Sequence, residues 1–419
     1  MTTMNHIERD DQARAILRGN DRGGYTVPTA GLYPYQWNWD SAFTAWGIAT
    51  FDSERAWAEM ETLMSGQWPS GMVPHILFHR PDPGYFPGPD VWGGRHGPIP
   101  SSGISQPPVA ATMVREVFER DPDRERMRAL FSKLKDWHKW FMDWRCDGGA
   151  IFITHPWEAG RDNAPDWDAA MAAIDPVGVG DYTRRDTSHV DASMRPTKEE
   201  YDRYVWLVQQ GKRLDWDDAA IARAAPLRVA DPTMTFILLR ANRDLTALGT
   251  ALGEDVEEME AWTETLLQGA ARLCNPDLGV FDAIDLGTGA HTGNLSNASF
   301  LCWYAGVDDD AMLARLEQTF AACPYPVPSH PVDADNFDAK RYWRGPTWAF
   351  MNSMIGRGLA DMGHTAHEER LRAATRDLIS HHGFAEYFNP LTGDPAGGGM
   401  FSWTAAVWLA WASPSAEGS

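Results

Sequence analysis

The apolar residues of this chain recur mainly at intervals of three and four, the spacing that places them on one face of an α-helix. In residues 127–144 they are Met127, Leu130, Phe131, Leu134, Trp137, Phe141 and Trp144. The same spacing predicts helices over 41–50, 53–65, 108–119, 198–210, 234–248, 256–267, 309–322, 347–360, 366–380 and 402–411. Clear alternating strands are few, and the best of them is the short segment 279–285. We therefore expect an all-α fold of roughly twelve to fourteen helices.

Helices in that number, paired with short connections, suit an (α/α)6 barrel, in which six inner helices surround a central pocket. Long loops rich in Gly and Pro separate some of the helices, over about 79–106, 156–197 and 323–346. They carry Trp, Tyr, Arg and Asp, which is typical of ordered functional loops. No low-complexity linker divides the chain. We predict a single domain, 1–419, whose active-site face is formed by these loops at one end.

Composition and charge narrow the function classes. The 419 residues are 43% hydrophobic and carry a net charge of −21, so nucleic acid would be repelled. The N-terminal segment MTTMNHIERDDQARAIL has no apolar h-region, and no apolar run is long enough to cross a membrane. The four cysteines lack metal-binding spacing, which favours reduced, buried thiols in a cytoplasmic protein. We expect neither a catalytic metal nor a cofactor, and the sequence leaves a structural cation open.

The segment PWEAGRDNAPDWD, residues 156–168, gathers four acids, one Arg and two Trp. Buried charges are rare unless they are paired, so this cluster requires an explanation. Asp162 could be a general acid if burial under Trp157 and a second carboxylate keep it protonated near neutral pH. Asp166 and Asp168 could instead be turn and helix-capping residues. Taken alone, each acid of the segment favours a structural role.

Three other segments combine aromatic and polar residues in the way sugar sites do. The segment 33–43 contains Tyr33, Gln36, Trp39 and Asp40, and the segment 341–350 contains Tyr342, Trp343 and Trp348. The third, 381–403, contains Glu386 and ends at Phe401 and Trp403. Aromatic faces stack on sugar rings, and two separated carboxyl groups suit glycoside hydrolysis, where one protonates the leaving oxygen and the other activates water. A carboxyl separation of about 6.5–9.5 Å would imply inversion.

Taken together, the motifs QWNWDSAF, EAGRDNAPDWD, YWRGPTW and EYFNPLTG with GGGMFSWTAA resemble glycoside hydrolase family 63. The chain is most similar to the bacterial mannosylglycerate and glucosylglycerate hydrolases of that family, from about residue 20 to residue 411. The resemblance implies an (α/α)6 barrel and an inverting mechanism. It also implies Asp162 as general acid and Glu386 as general base.

The resemblance assigns further residues to substrate binding. In the family, the Arg of MRPT and the Tyr six residues later bind the glycerate carboxylate, and here these are Arg195 and Tyr201. The remaining glycerate contacts would be Tyr33, Tyr85 and Gln106. The sugar subsite would be formed by Trp39, Asp40, Trp157, Arg161, Trp343, Trp348 and Trp403. The loop that carries Tyr85 would form part of a lid, with hinge freedom at Gly84, Gly88, Gly93 and Gly94.

Several alternatives remain open. Arg195 could form a surface ion pair with Glu199 instead of binding a ligand. The chain could be an oligosaccharide α-glucosidase of the same family, or a sugar-binding protein without activity. Sugar epimerases share the barrel but rely on His pairs, which are not apparent here. Where relatives commonly read ESGRDNSP, this chain has Ala159 and Ala164, which puts the choice of sugar in doubt. The expected partner is a small anionic glycoside, and a homo-oligomer is possible.

Overall fold

A computed structural model describes residues 6–93 and 96–416. The described residues form sixteen α-helices. They are α1 (His6–Asn20), α2 (Asn38–Ile48), α3 (Ser53–Ser65), α4 (Pro89–Trp92), α5 (Ala110–Arg120), α6 (Arg124–Trp144), α7 (Asp168–Ala172), α8 (Asp186–His189), α9 (Lys198–Arg213), α10 (Asp218–Ala224), α11 (Pro232–Leu252), α12 (Glu257–Arg272), α13 (Asp310–Ala322), α14 (Ala349–Asp361), α15 (Thr365–His382) and α16 (Ser402–Val407).

Every helix that the spacing predicts is present, so the mainly helical fold is confirmed. The count exceeds the predicted number because α4, α7, α8 and α10 are short helices within loops or beside them, and α1 has few apolar residues. Local capping explains several helix starts. Asp52, Asp123 and Asp309 precede α3, α6 and α13, and each carboxylate accepts a hydrogen bond from a first-turn N–H.

The helices are arranged as a closed ring with partners outside it. Helix α2 packs on α5, α5 packs on α11, and α14 packs on α16, which returns to α2. A 3₁₀ segment, Ser299–Cys302, joins α11 to α14 and completes the ring. Helices α1, α3, α6, α12, α13 and α15 each pack against one or more of these members. All eleven residues of α2 are buried, as expected for an inner helix.

Short strands are more numerous than the sequence indicates. They are β1 (Gln36–Trp37), β2 (Ile76–Leu77), β3 (Cys146–Asp147), β4 (Ala150–Ile153), β5 (Val229–Ala230), β6 (Cys274–Asn275), β7 (Val280–Phe281), β8 (Ile284–Asp285), β9 (Ala290–His291), β10 (Tyr387–Phe388) and β11 (Pro395–Ala396). Strands β3, β4, β5, β8 and β9 form one antiparallel sheet in that order. Segments of two to four residues are too short to show an alternating pattern, so only 279–285 was predicted, and it contains β7 and β8.

The sheet positions residues 156–168 and the start of α11. Strand β4 leads directly into residues 156–168, and β5 leads into α11 through Asp231. The Asp231 N–H donates to the Ile151 carbonyl at 2.9 Å, which holds the start of α11 beside β4.

The long loops are ordered in part. Helix α4 lies within 79–106, of which Gly94 and Arg95 are outside the described residues, and α7 and α8 lie within 156–197. Arg185 ties these two loops together through an ion pair with Asp82, with Nη1 and Oδ2 at 2.9 Å. Among the described helices, none combines the length and the apolar character needed to cross a bilayer. All four cysteines are free, but Cys274 is exposed, contrary to the prediction of buried thiols.

Candidate active site

One cavity lies where the long loops meet the inner helices, and aromatic and charged side chains line it. Twelve of the residues predicted to form the site line it. They are Tyr33, Trp39, Asp40, Tyr85, Gln106, Trp157, Asp162, Arg195, Tyr201, Tyr342, Glu386 and Trp403. The fold therefore brings residues from six distant segments into one place.

Four other predicted contacts do not line the cavity. Gln36 is fully buried, and its side chain bonds to Ser41 and His79 instead. Trp343 and Trp348 stack face to face with ring centroids 3.9 Å apart, also fully buried. They lie behind the aromatic wall, because Trp343 contacts Trp39 and Trp348 contacts Trp403.

Arg161 is the fourth residue outside the cavity, and it organises a buried charge cluster. Its guanidinium binds Asp166 at 3.2 Å and Asp231 at 2.8 Å, and all three side chains are almost completely buried. Ser296 accepts a further hydrogen bond from Arg161 at 3.2 Å. Arg161 thus anchors the loop of residues 156–168 to the start of α11, and a buried Arg with two carboxylates is a compensated charge.

The four acids of 156–168 separate into three paired ones and one unpaired one. Glu158 binds Arg145 at 3.2 Å and accepts from the Thr154 N–H at 2.6 Å. Asp166 pairs with Arg161, and Asp168 pairs with Arg344. Asp162 alone has no ion-pair partner, and it lines the cavity. Three of the acids therefore hold the loop, and the fourth is available for chemistry.

The backbone at Asp162 is fixed from two sides. Its carbonyl oxygen accepts hydrogen bonds from Trp167 Nε1 and from the Tyr204 hydroxyl, both at 2.9 Å. Burial raises the pKa of the Asp162 carboxyl to about 8, the negative charge of Glu386 adds to the rise, and Arg195 opposes it. A carboxyl group with this pKa is protonated at neutral pH and can donate its proton.

Glu386 also lines the cavity, and unlike Asp162 it has an ion-pair partner. Arg195 Nη2 donates to Oε2 at 2.6 Å, and Nη1 donates to Oε1 at 3.2 Å. The Tyr33 hydroxyl donates to Oε1 at 2.9 Å, and the Gly398 N–H donates to Oε2 at 2.8 Å. All of these hydrogen bonds are donated to the carboxyl group of Glu386, and those from Arg195 form a buried ion pair.

The backbone beside Glu386 requires glycine at position 397. Gly397 has a φ of +70°, which L-residues adopt at a cost, and a Cβ there would lie 2.3 Å from Glu386 Oε2. A Cβ on Gly399 would meet no atom within 4 Å, and its backbone is outside the left-handed region. The loop therefore excludes a side chain at position 397 and has room for one at position 399.

We predict that Gly397→Ala lowers kcat by about 10²-fold, because a shift of roughly 1 Å in a catalytic group has an effect of that size. Gly399→Ala is the matched control and should retain wild-type kcat. Steady-state kinetics and circular dichroism on both variants would check this. Wild-type kcat in folded Gly397→Ala would contradict the requirement for this backbone geometry.

The end of the cavity around Arg195 is cationic and aromatic. Arg195 is buried, with its Cζ 4.7 Å from the ring centroid of Tyr342. Tyr342 has a φ of +46°, a strained conformation that places its ring at this position. The predicted alternative for Arg195, an ion pair with Glu199, is wrong, because Glu199 binds Arg203 at 2.9 Å.

Several lining residues were not predicted: Trp37, His75, Phe86, Arg185, Asp186 and Phe401. Trp37 and Phe401 belong to recognised motifs and lie close in sequence to Trp39 and Trp403. That closeness could have identified them as lining residues. His75 and Asp186 follow no pattern in the sequence. Asp40 was predicted to line the site, and burial raises the pKa of its carboxyl, with Glu386 adding to the rise.

No group of three or more His, Cys, Asp or Glu side chains is arranged to hold a metal ion within 6–93 and 96–416. The polar groups that converge in the cavity include the carboxyl groups of Asp40, Asp162 and Glu386 and the guanidinium of Arg195, between aromatic walls. Two carboxyl groups that can act as acid and base, beside aromatic surfaces, are typical of the active site of a glycoside hydrolase.

Comparison with known proteins agrees with this class. Residues 33–404 match the family model described as the mannosylglycerate hydrolase MGH1-like glycoside hydrolase domain. A mannosylglycerate hydrolase of Thermus thermophilus is 43% identical, covering 96% of this chain and 99% of that protein. Mannosylglycerate hydrolase MGH1 of Selaginella moellendorffii is also 43% identical, covering 96% and 85%. The chain belongs to glycoside hydrolase family 63, in the mannosylglycerate hydrolase-like group, and is a glycosidase.

Solved structures show the same relationship. The Thermus thermophilus mannosylglycerate hydrolase in complex with Tris and D-glycerate superposes with a TM-score of 0.93 at 42% identity, covering 96% of this chain and 99% of that one. The same enzyme was also solved with glucose. A glucosylglycerate hydrolase of Mycolicibacterium hassiacum is 34% identical over 96% of both chains. The resemblance to family 63 is thereby confirmed.

Proposed function

We propose that the protein hydrolyses mannosylglycerate, glucosylglycerate or both to the free sugar and glycerate, with inversion at the anomeric carbon. The observation that carries the proposal is the contrast between two carboxyl groups in one cavity. Asp162 has no cation partner and a pKa of about 8, whereas Glu386 is paired with a buried arginine. Groups whose environments differ in this way are suited to act as acid and base.

In the proposed reaction, Asp162 donates its proton to the glycosidic oxygen. The bond between that oxygen and the anomeric carbon breaks, and the bonding electrons remain on the oxygen of the departing glycerate. Glu386 takes a proton from a water molecule whose oxygen bonds to the opposite face of the anomeric carbon. Proton exchange with solvent then returns both groups to their starting states.

We assign the lining residues of the cavity to the two halves of such a substrate. Trp39, Asp40, Trp157 and Trp403 supply aromatic faces and a carboxyl group for the sugar ring. Tyr33, Tyr85, Gln106, Arg195 and Tyr201 surround the position proposed for glycerate. Arg195 is the cation suited to the glycerate carboxylate, because a guanidinium binds a carboxylate through two parallel hydrogen bonds.

We further propose that the ring of inner helices is an (α/α)6 barrel. The inner members would be α2, α5, α11, the 3₁₀ segment Ser299–Cys302, α14 and α16, each with one outer partner. Their closed order of packing supports this assignment. One inner member would then be reduced to a single 3₁₀ turn.

The test is proton NMR on the purified protein with α-mannosylglycerate and, in parallel, α-glucosylglycerate. Mannosylglycerate is the first choice because the relatives at 43% identity carry that name. We expect the β-anomer of the sugar to appear first. Release of the α-anomer would contradict the inverting mechanism, and no release from either substrate by folded protein would overturn the proposed activity.

A further inference from the structure

The acceptor capacity of Glu386 is completely used. A carboxylate offers about four lone-pair positions. Arg195 occupies two of them, Tyr33 a third and the Gly398 N–H a fourth. Glu386 is fully buried, so solvent does not exchange freely with these partners. A general base needs a position for the water whose proton it removes, and this arrangement leaves none.

Among the four hydrogen bonds to Glu386, those from Arg195 are the ones that a ligand can remove. The Gly398 N–H belongs to the backbone next to Gly397, whose position is fixed by its conformation. The Tyr33 hydroxyl is itself held by Arg195, which donates to it at 2.8 Å. Arg195 also has a buried Nε–H without a hydrogen-bond partner, so its guanidinium has unused capacity for an acceptor.

Other cations near the cavity are already engaged elsewhere. Arg184 forms two hydrogen bonds with Asp186, at 3.0 and 2.5 Å, and Arg185 is paired with Asp82. Neither of those carboxylates is a proposed catalytic group. Arg195 is different, because its partner is the proposed base itself. An anionic ligand that recruits Arg195 therefore changes the state of the catalytic machinery.

We propose that the carboxylate of the substrate draws Arg195 away from Glu386 and so releases the acceptor position that the attacking water needs. The inference rests on the proposed function and adds a regulatory step to it. The negative charge of the aglycone then acts on turnover as well as on binding. The enzyme selects anionic glycosides by activating its base only when a carboxylate is present, which is specificity by induced rearrangement.

The first test compares α-mannosylglycerate with the neutral α-mannosylglycerol. If the release step exists, kcat of the wild-type enzyme should be at least about tenfold lower for the neutral glycoside, because in its bound complex Arg195 still occupies the position that the attacking water needs. Equal kcat values with a difference only in KM would overturn the proposal, because Arg195 would then be a binding residue alone.

The variant Arg195→Met gives the second arm of this test. Its kcat should fall for the anionic glycoside and rise for the neutral one, because Glu386 is no longer occupied by the guanidinium. A fall for both substrates would show that Arg195 supports the base, and would contradict the inference. Circular dichroism must first show that the variant is folded. The comparison of the two substrates with the wild-type enzyme does not depend on this variant.

A binding experiment separates this inference from the proposed activity. The probe is D-glycerate, measured by calorimetry. Glu386→Gln should lower its Kd by about tenfold, or 1.4 kcal/mol, because the competitor for Arg195 is removed. In an Arg195→Met background the same substitution should have little effect. An equal decrease in Kd in both backgrounds would indicate that Glu386 only repels the glycerate charge. No decrease in Kd would exclude competition between Glu386 and glycerate for Arg195. Neither result depends on hydrolysis.

Discussion

Asp162→Asn is expected to reduce kcat by about 10³-fold, within the range that a general acid contributes. Asparagine keeps the shape of the side chain but has no proton to give to the leaving oxygen. The loop should not move, because its hydrogen bonds are made by the Asp162 carbonyl and by neighbouring side chains. The loss should therefore appear in kcat with little change in KM.

The same substitution should stabilise the protein at neutral pH. The pKa of Asp162 is raised from 3.8 to about 8 in the folded state. Below pH 3.8 the carboxyl is protonated in both states and carries no penalty. As the pH rises toward 8, the unfolded chain releases this proton while the folded chain retains it, so the stability of the wild-type protein falls. Asparagine does not titrate and avoids the loss.

The upper limit of this gain is about 4 kcal/mol at pH 7, and solvent entering the cavity reduces it. Thermal unfolding of both proteins between pH 5 and pH 8 would measure it, and the difference in Tm should grow with pH. Asp166→Asn is the matched control in the same segment and should lower Tm, because it removes a partner of buried Arg161. A drop in Tm for Asp162→Asn, or wild-type kcat, would contradict the assignment.

The alkaline side of the pH profile provides an independent check without mutation. If Asp162 must be protonated, kcat/KM of the wild-type enzyme should decline as the pH rises through about 8. A profile that remains flat up to pH 9.5 or so would contradict the role of Asp162 as the acid.

Much of the fold could be predicted because amphipathic spacing is a local property. Helices such as α6 and α11 bury one face, so their apolar residues recur at intervals of three and four residues. The sheet could not be predicted in the same way. Strands such as β5 have two residues, and their pairing depends on segments more than fifty positions apart, for example Ala230 with Phe152 and Ile284. The sequence shows no local trace of that pairing.

Site residues could be predicted where a recognised motif identifies the residue that lines the cavity. They could not be predicted where a charged side chain can turn either toward the cavity or toward buried partners. Asp162, Glu386 and Arg195 were assigned to one cavity by resemblance, and all three line it. Arg161 stands beside Asp162 in sequence, yet its side chain turns the other way, toward Asp166 and Asp231. Which neighbour faces the cavity is decided by the start of α11, which lies seventy residues further along the chain.

Glu386→Gln is expected to reduce kcat by about 10³-fold as well, since the proposed base is lost. Its effect on stability should be opposite to that of Asp162→Asn. The glutamine removes the negative charge that compensates Arg195, which is almost completely buried. Breaking a buried ion pair from one side destabilises by about 3–5 kcal/mol, because a charge is left without its partner.

Thermal unfolding of the two variants at pH 7 would therefore distinguish two carboxyl groups that kinetics alone would not. The Tm of Glu386→Gln should lie below that of the wild type, and the Tm of Asp162→Asn above it. The double variant Glu386→Gln/Arg195→Met should recover part of the lost stability, since it removes the unpaired cation. If the double variant were no more stable than Glu386→Gln alone, the ion pair would not be what holds this side of the cavity. An acid that destabilises the fold and a base that stabilises it are the expected signs when burial opposes the ionisation of one carboxyl group and a buried arginine is paired with the other.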